Sequence, residues 1–498
     1  MVKLSLYDVK RAYYGIKQLA QKALLDNDIN LSWYYISQCA GLAQQFNWIY
    51  SDDELEEALG NIGEKIIQEP NVEYQPIDNR VVFIDDFCTS FVLAFQYLKA
   101  LVFSGKEVLY ITTVNIERNK FPGIVDKISS FPNLKVVIVD SADFQVKVKS
   151  IYDSILNFHP QKIILHVLAN SKVLPVLYVL PNQVERYIIN LADQTFWLGK
   201  NAIDFSLEFR QFGVSVSLQR RGLKKEQLLL VPFYPVVDNN PFQGLPEGCG
   251  GQGKIVVFSG GDVYKVIDKQ NKYWHLVKCI LDNYPQVVFW YATKITNKTG
   301  VNRIRDFIKE NHFEGRIFLT SFRPDINEVM SHVDIYMGTC PASGSLMSQL
   351  AAMNAKPILQ YYYPGTPDDE TEQVLCYNDS FKISFDNEIG FLDEANRLIN
   401  DEKYRKEQGE RLKSAMITPD QFNHLVAKTI STNKTVVALK PFPINYDILE
   451  ERWFSLEELG HVDTLPYIYG ILGKTNCLKY APTLYVKKQL RAILKRRG

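Results

Sequence analysis

Short apolar segments alternate with helical segments along most of this chain, and the alternation runs twice. The strand-like segments of the first run read VVFIDDF, EVLYITT, LKVVIVDS, KIILHVL and YIINLAD; those of the second read KIVVFSGG, QVVFWYAT, RIFLTSF, VDIYMGT and KPILQYY. Strands that alternate with helices in this way form parallel sheets covered by helices. The chain is therefore predicted to be an α/β protein with two Rossmann-like domains.

A polar break separates the two runs. The segment VDNNPFQGLPEGCGGQGK crowds Asn, Pro and Gly between two apolar strands, which indicates a linker. A chain of 498 residues also exceeds what one hydrophobic core usually organises. We expect a helical segment at residues 1–74, a first Rossmann-like domain at 75–240, a linker at 241–252, a second Rossmann-like domain at 253–435 and a tail at 436–498.

The overall composition excludes several classes of protein. Lys plus Arg equals Asp plus Glu, at 56 each, so no global field attracts nucleic acid. The seven cysteines are scattered, without a CxxC pair or a Cys/His cluster at metal-ligand spacing, which favours a reduced cytosol and no metal site. The first residues lack a signal-peptide pattern, and no stretch reaches about 18 uninterrupted apolar residues. We expect a cytoplasmic protein.

The first strand of the second run ends in a glycine-rich turn. Ser259, Gly260 and Gly261 close this strand, where glycine lets the backbone approach a ligand. Tyr264 and Lys265 follow at the start of a helical segment, so the lysine ammonium could reach the same anion as the helix N-terminus. A glycine turn with an incidental surface lysine explains this segment equally well.

A second loop of the same kind follows the strand VDIYMGT. Its small residues, which precede a helix predicted to start at Ser345, are Pro341, Ser343 and Gly344. They offer hydroxyls, a close-approach glycine and a helix N-terminus at the carboxyl edge of the sheet. Two anion sites in one domain favour a diphosphate ligand.

A third strand, RIFLTSF, ends at the same edge of the predicted sheet. Phe322 and Arg323 follow it and could line a slot for a nucleobase. A solvated loop charge is an equally good interpretation of Arg323.

These segments resemble the donor half of GT-B glycosyltransferases. Tyr264 with Lys265, and the loop Ser343, Gly344 and Ser345, are similar to the segments that hold the diphosphate in O-GlcNAc transferase and its bacterial relatives. The resemblance implies the GT-B architecture, a UDP-sugar donor held in a cleft between the two domains, and no cofactor beyond that donor substrate.

The first run of strands carries a separate resemblance. Residues 189–213, INLADQTFWLGKNAIDFSLEFRQFG, resemble a stretch of bacterial sugar transferases of surface-polysaccharide assembly. The two resemblances together span about residues 80–430. Ala192 stands before Asp193 where many relatives carry histidine, which leaves the identity of a catalytic base open.

Transfer chemistry needs stabilisation of the leaving diphosphate and, in an inverting enzyme, a base. Lys265 and two helix N-termini can supply the first without a metal ion, and no Asp-x-Asp motif stands at a predicted strand end to bind one. The candidate bases at strand ends are Asp85, Asp86, His166 and Asp193, with Asp193 preferred. The two neighbouring aspartates could instead cap the following helix, and His166 could be a core histidine with its hydrogen bonds satisfied.

The tail from Thr464 to Gly498 contains no acidic residue. Its cations are Lys474, Lys479, Lys487, Lys488, Arg491, Lys495, Arg496 and Arg497. After Pro482, one helical face would carry Val486, Leu490, Ile493 and Leu494 among these cations. This pattern suits an anionic membrane surface, although a solvated terminal helix is an equal alternative.

We therefore expect a metal-independent glycosyltransferase that moves a sugar from a UDP-sugar to a glycan or lipid-linked glycan. Two alternatives stay open: a UDP-sugar epimerase of the same architecture, and a catalytically inactive subunit that binds a nucleotide-sugar.

Overall fold

The structure is a computed structural model that describes residues 4–68, 73–87, 91–113, 128, 130–237, 240–295, 298–460 and 464–497. The chain divides into two compact units. The first unit comprises Met1–Val231, Asn423–Phe442 and Val462–Gly498, and the second comprises Pro232–Phe422 and Pro443–His461.

The first unit contains a parallel sheet of seven strands. They are β1 (Ile77–Asp85), β2 (Glu107–Thr112), β3 (Leu134–Ile138), β4 (Pro160–His166), β5 (Glu185–Ile189), β6 (Phe205–Glu208) and β7 (Leu228–Leu230). Their order is β3-β2-β1-β4-β5-β6-β7, with every pair parallel. The apolar half of β1, from Val81 onward, is buried in the middle of this sheet, which explains its continuous apolar run.

Helices surround this sheet and precede it. They are α1 (Leu6–Leu25), α2 (Ile29–Phe46), α3 (Asp53–Ile66), α4 (Phe91–Phe103), α5 (Phe144–Phe158), α6 (Leu174–Leu177) and α7 (Gln211–Gln219). The apolar spacing in α1 places Val9, Ala12 and Ile16 on its buried face. Its N-terminus is closed by a capping box, in which Ser5 and Asp8 bond each other's backbone N–H groups.

The second unit contains a parallel sheet of six strands. They are β8 (Ile255–Gly260), β9 (Val287–Ala292), β10 (Ile317–Thr320), β11 (Ile335–Met337), β12 (Ile358–Tyr361) and β13 (Ser384–Phe385). Their order is β10-β9-β8-β11-β12-β13. The prediction of two parallel α/β sheets is thus confirmed. Each sheet has the strand order of a Rossmann fold, 3-2-1-4-5-6, with β7 added to the first.

The helices that follow in the chain are α8 (Lys272–Asn283), α9 (Lys298–Glu310), α10 (Ile326–Ser331), α11 (Ser345–Met353), α12 (Glu372–Leu375), α13 (Glu388–Asn400), α14 (Glu402–Ala415) and α15 (Pro419–Thr432). Aromatic side chains fill much of the second core, where Trp274 of α8 makes edge contacts with Phe289 and Tyr291 of β9. Such contacts add to the stabilisation from buried area.

The tail forms α16 (Tyr446–Gly460), α17 (Thr464–Tyr480) and α18 (Pro482–Arg497). Of these, α16 belongs to the second unit, whereas α17 and α18 belong to the first. Tyr480 packs where a Cβ on Gly15 of α1 would lie, and the Asp8 carboxylate accepts bonds from Thr483 and Lys487. Among the described residues, no helix is both long and apolar enough to cross a membrane.

The limits of the two units differ from the expected domain limits. Residues 241–252, expected as a linker, lie within the second unit, and the first change of unit falls at Val231 and Pro232. Residues 423–442 return to the first unit, although a second domain was expected to continue to 435. The physical reason is long-range packing, such as the hydrogen bond that the backbone N–H of Leu230 donates to Thr435 Oγ1, which sequence periodicity does not report.

Candidate functional site

In each sheet, the order in which successive strands are added reverses direction at one point. In the first sheet this point lies between β1 and β4, and in the second it lies between β8 and β11. Open parallel sheets bind ligands in the crevice outside the carboxyl ends of the strands at such a point. The residues that follow β8 and β11, and those that end β1 and β4, are therefore the candidates for ligand binding.

The turn after β8 is shaped by glycine and held by a tyrosine. Ser259 is buried within the strand, and a Cβ on Gly260 would come within 3.2 Å of the carbonyl oxygen of Ala292. Gly261 has φ +149°, which side chains disfavour. The Tyr291 hydroxyl donates to the Gly261 carbonyl at 3.0 Å. The hydrogen bond from Tyr291 thus holds the backbone of the predicted glycine turn in place.

Lys265 lies across this turn and reaches the second predicted loop. It belongs, with Tyr264, to the short 3₁₀ helix Val263–Val266. Its Nζ donates to the carbonyl oxygen of Ser343 at 3.2 Å, and a Cβ added to Gly344 would lie 3.7 Å from the same Nζ. The structure therefore brings together the two segments that the sequence analysis singled out separately.

Burial favours the uncharged form of this lysine. It lowers the pKa of Lys265 below the usual value of 10.5, and the carboxylates of Asp369 and Asp262 oppose that shift. An anion beside Nζ would favour the charged form in the same way as these carboxylates.

The loop between β11 and α11 is held by buried hydrogen bonds. Gln360 donates to the Thr339 carbonyl at 3.0 Å, and the Thr339 hydroxyl donates to the Ala342 carbonyl at 2.7 Å. Asp369 accepts from the backbone N–H of Ser343 at 2.8 Å. The loop that contains buried Pro341 is therefore preorganised.

Helix α11 starts from this loop with its first turn available to a ligand. Its N-cap is Gly344, which provides no side-chain cap, so Ser345 is the first helical residue, as predicted. The N–H groups of a first helical turn have no partner within the helix and carry a partial positive charge. Together with Lys265 Nζ they form a surface suited to an anion.

Asp368, Asp369 and Arg452 form a buried ion-pair group next to this loop. Their role was not predicted from the sequence. Arg452 of α16 bonds both Asp368 and Asp369, and all three side chains are buried. Burial raises the pKa of Asp369, and Asp368 adds to that shift while Arg452 opposes it. The only signal in the sequence was the adjacent acidic pair, because its partner lies 83 residues or more away.

A cavity of about 320 Å³ lies beside this support. Its lining joins Pro341 of the loop to Tyr363 and Thr366 and to Ile448 and Arg452 of α16. Helix α16 thus shapes a concave surface within the second unit.

The third predicted segment of the second unit has a different environment. Phe322 is 64% exposed. Arg323 bonds both carboxylate oxygens of Asp325, donates to the Gly244 carbonyl at 3.0 Å and lies over the Trp290 ring. Arg323 is therefore not a solvated loop charge. Its guanidinium is the ion-pair partner of the buried Asp325.

In the first unit, β1 and β4 end in a carboxylate and an imidazole that contact each other. His166 Nδ1 and Asp85 Oδ1 lie 2.9 Å apart, and both side chains are fully buried. Tyr110 donates to Asp85 Oδ2 at 2.8 Å. Burial would raise the pKa of Asp85, but the bonds from His166, Tyr110 and the Phe87 N–H outweigh it and lower that pKa.

The second nitrogen of this imidazole is unpaired. His166 Nε2 is buried and has no hydrogen-bond partner among the described residues. A buried polar atom without a partner costs free energy, which a ligand hydroxyl would relieve. Asp86, next in the chain, accepts from Thr113 and Ser171.

Asp193 is held in a buried ion pair. Its two carboxylate oxygens accept from Arg210 Nε at 2.6 Å and Nη2 at 2.8 Å, and its side chain is fully buried. Arg221 donates to the Asp193 carbonyl oxygen at 2.8 Å. Both oxygens are thus engaged in holding the loop after β5 to the start of α7, which is the geometry of a structural carboxylate.

No family model and no curated protein matches this chain. Solved structures do resemble it. A lysine-to-methionine mutant of the O-GlcNAc transferase of Thermobaculum terrenum is 13% identical, covers 91% of this chain with 82% of its own length, and has a TM-score of 0.55. HepE of Anabaena in complex with UDP is 13% identical, covers 71% of this chain with its whole length, and has a TM-score of 0.50. These likenesses show a GT-B-like fold.

Proposed function

We propose that this protein is a glycosyltransferase that moves a sugar from a UDP-sugar to a glycan or lipid-linked glycan acceptor. The observation that carries the proposal is the convergence of Lys265 Nζ, the Ser343–Gly344 loop and the start of α11 at the point where strand order reverses in the second sheet. Two of the proteins with a similar fold are described as a transferase of GlcNAc and as a complex with UDP, which supports this ligand class.

In the proposed reaction, the second unit binds the diphosphate of the donor. Negative charge grows on the leaving diphosphate as the glycosidic bond to it breaks. The Lys265 ammonium and the first N–H groups of α11 stabilise that charge without a metal ion. The carboxylate of Asp369 accepts the Ser343 N–H, so it fixes the loop and does not compete for Lys265 by a direct bond.

The proposed base is His166 rather than Asp193. The imidazole has one nitrogen bonded to Asp85, whereas the buried Nε2 has no partner among the described residues. Once a local rearrangement admits the acceptor, Nε2 accepts the proton of its hydroxyl while Asp85 stabilises the resulting imidazolium. Asp193 has no unbonded carboxylate oxygen for this task.

The C-terminal helix supports a lipid-linked acceptor. In α18, Val486, Leu490 and Ile493 are 54%, 47% and 48% exposed on one face, and Leu484 is buried on another. The Leu494 side chain lies outside the described part of the chain. We propose that this exposed stripe, surrounded by lysine and arginine, contacts an anionic membrane surface.

Product analysis tests the proposed function. The full-length protein is incubated with UDP-GlcNAc and other UDP-sugars, with and without oligosaccharide and lipid-linked acceptors. A transferase releases UDP and extends an acceptor, and that result supports the proposal. An isomerised nucleotide-sugar would instead identify an epimerase, and binding without UDP release under every condition would identify an inactive subunit; either result contradicts the proposal.

A further inference from the structure

A second group of chemically reactive side chains lies in the second unit, on α8 and α13. His275 and Cys279 are four residues apart in α8 and therefore share one helical face. Glu388 is the first residue of α13. One ligand atom from each of these three residues lies within 4.8 Å of the other two. None of them belongs to the candidate functional site.

Of the two distances at His275 Nε2, one equals the separation expected around a bound zinc ion and the other is shorter. His275 Nε2 lies 3.6 Å from Cys279 Sγ and 2.9 Å from Glu388 Oε1. Zinc binds sulfur at about 2.3 Å and imidazole nitrogen at about 2.0–2.1 Å, so tetrahedral geometry places these two ligand atoms about 3.6 Å apart. The corresponding separation of nitrogen and carboxylate oxygen is about 3.3 Å. A shift of about 0.4 Å at Glu388 brings the nitrogen–oxygen separation to the zinc value, and the ligand atoms of Cys279 and Glu388 lie within 4.8 Å of each other.

A neighbouring lysine orients the carboxylate. Lys272 Nζ donates to Glu388 Oε2 at 2.6 Å, which leaves Oε1 directed at His275. Hydrogen bonds of this kind to the second atom of a ligand are a regular feature of metal sites. His275 is 49% exposed, so an ion can enter from solvent and a water molecule can take the fourth position.

We propose that His275, Cys279 and Glu388 form a zinc site that joins α8 to α13, contrary to the expectation from the sequence that the chain has no metal site. The ligand types decide the metal, because thiolate and imidazole suit zinc, whereas magnesium and calcium require oxygen. Zinc binds cysteine as the thiolate, so binding at this site releases the Cys279 proton. This inference does not depend on the proposed glycosyltransferase activity.

Cobalt(II) spectroscopy of the full-length protein tests the proposal, because cobalt replaces zinc and reports its ligands. After chelation and removal of EDTA, we expect cobalt to give a thiolate-to-metal charge-transfer band and tetrahedral d–d bands, both abolished by added zinc. Cys279→Ser should abolish the charge-transfer band, and His275→Ala and Glu388→Gln should each weaken zinc binding about tenfold or more. The matched control is Cys376→Ser, another partly buried cysteine, which should bind zinc normally.

Two results would overturn the zinc site. One is an octahedral cobalt spectrum without a charge-transfer band. The other is a charge-transfer band that Cys279→Ser leaves intact. Because His275 is half-exposed, His275→Ala should keep the far-ultraviolet circular dichroism of the wild-type protein, and weaker zinc binding then reports the loss of a ligand.

Discussion

Lys265 is the residue on which donor binding depends most in the proposed reaction. Its Nζ lies at the Ser343–Gly344 loop, and it is the side chain there whose charge is opposite to that of a diphosphate. Lys265→Ala should weaken UDP binding by about 1–3 kcal/mol, the usual scale for loss of a charge-assisted contact. Isothermal titration calorimetry measures the change. Lys309→Ala, an exposed lysine of α9, is the matched control, and equal affinities in the two variants would exclude Lys265 from the site.

The same lysine gives UDP binding a pH dependence. Burial lowers the pKa of Lys265 from 10.5, so the ammonium loses its proton as pH rises through a value below that of an exposed lysine. UDP affinity should therefore fall with rising pH in the alkaline range. Lys265→Arg should bind UDP without this fall, because arginine stays protonated. Deprotonation of the uracil ring affects both proteins equally, so only the difference between their pH profiles tests the prediction.

Asp193 distinguishes a structural carboxylate from a catalytic one. Asp193→Asn breaks the buried ion pair with Arg210, and breaking such a pair costs about 3–5 kcal/mol of stability. Chemical denaturation should show that loss. Asp379→Asn removes the partner of Arg411 in an exposed pair and should change stability little. A stable Asp193→Asn protein with strongly reduced turnover would restore Asp193 as the catalytic base.

At the level of helices and strands, the parts that follow from local pattern were predictable. The apolar run before Asp85 and the glycine turn after β8 each identified a strand end, since burial in a parallel sheet imposes that pattern. The sequence could not show which distant side chain forms an ion pair with a buried charge. The pairing of Asp369 with Arg452, 83 residues apart, depends on where α16 packs, and helical periodicity does not specify a helix's partner.

The C-terminal helix α18 carries a prediction of its own. Replacing Val486, Leu490 and Ile493 together by serine should reduce binding to vesicles that contain phosphatidylserine by about tenfold or more, because their exposed side chains supply the apolar contact. Co-sedimentation at low and high salt measures the binding, and salt should weaken what remains. Leu25→Ser, an exposed leucine of α1, is the control. Absence of wild-type binding to these vesicles would refute membrane contact by this helix.

On the scale of the whole molecule, the chain passes between its two units more than once. Residues 443–461 contribute α16, with Arg452, to the second unit, and residues 462–498 contribute α17 and α18 to the first. Each unit is therefore built from segments distant in sequence. The expected domain 253–435 does not contain Arg452, which forms ion pairs with the buried aspartates of that domain. Removal of the tail should therefore affect the two units differently, according to where the chain is cut.

Two truncations separate these contributions. A chain ending at residue 461 loses the buried side chains of Leu465, Ile468 and Leu472, at about 1.5–3 kcal/mol each, so the first unit should unfold at a much lower temperature. It keeps Arg452 and should bind UDP with nearly full affinity. A chain ending at residue 442 also loses Arg452, the ion-pair partner of the buried Asp368 and Asp369, and this loss frees the loop that Asp369 holds at Ser343. Its UDP affinity should fall about tenfold or more, because the loop is no longer preorganised for the diphosphate. Calorimetry with UDP, together with the unfolding transitions of both chains, measures these effects. If the chain ending at 442 binds UDP as well as the one ending at 461, Arg452 does not support the donor site.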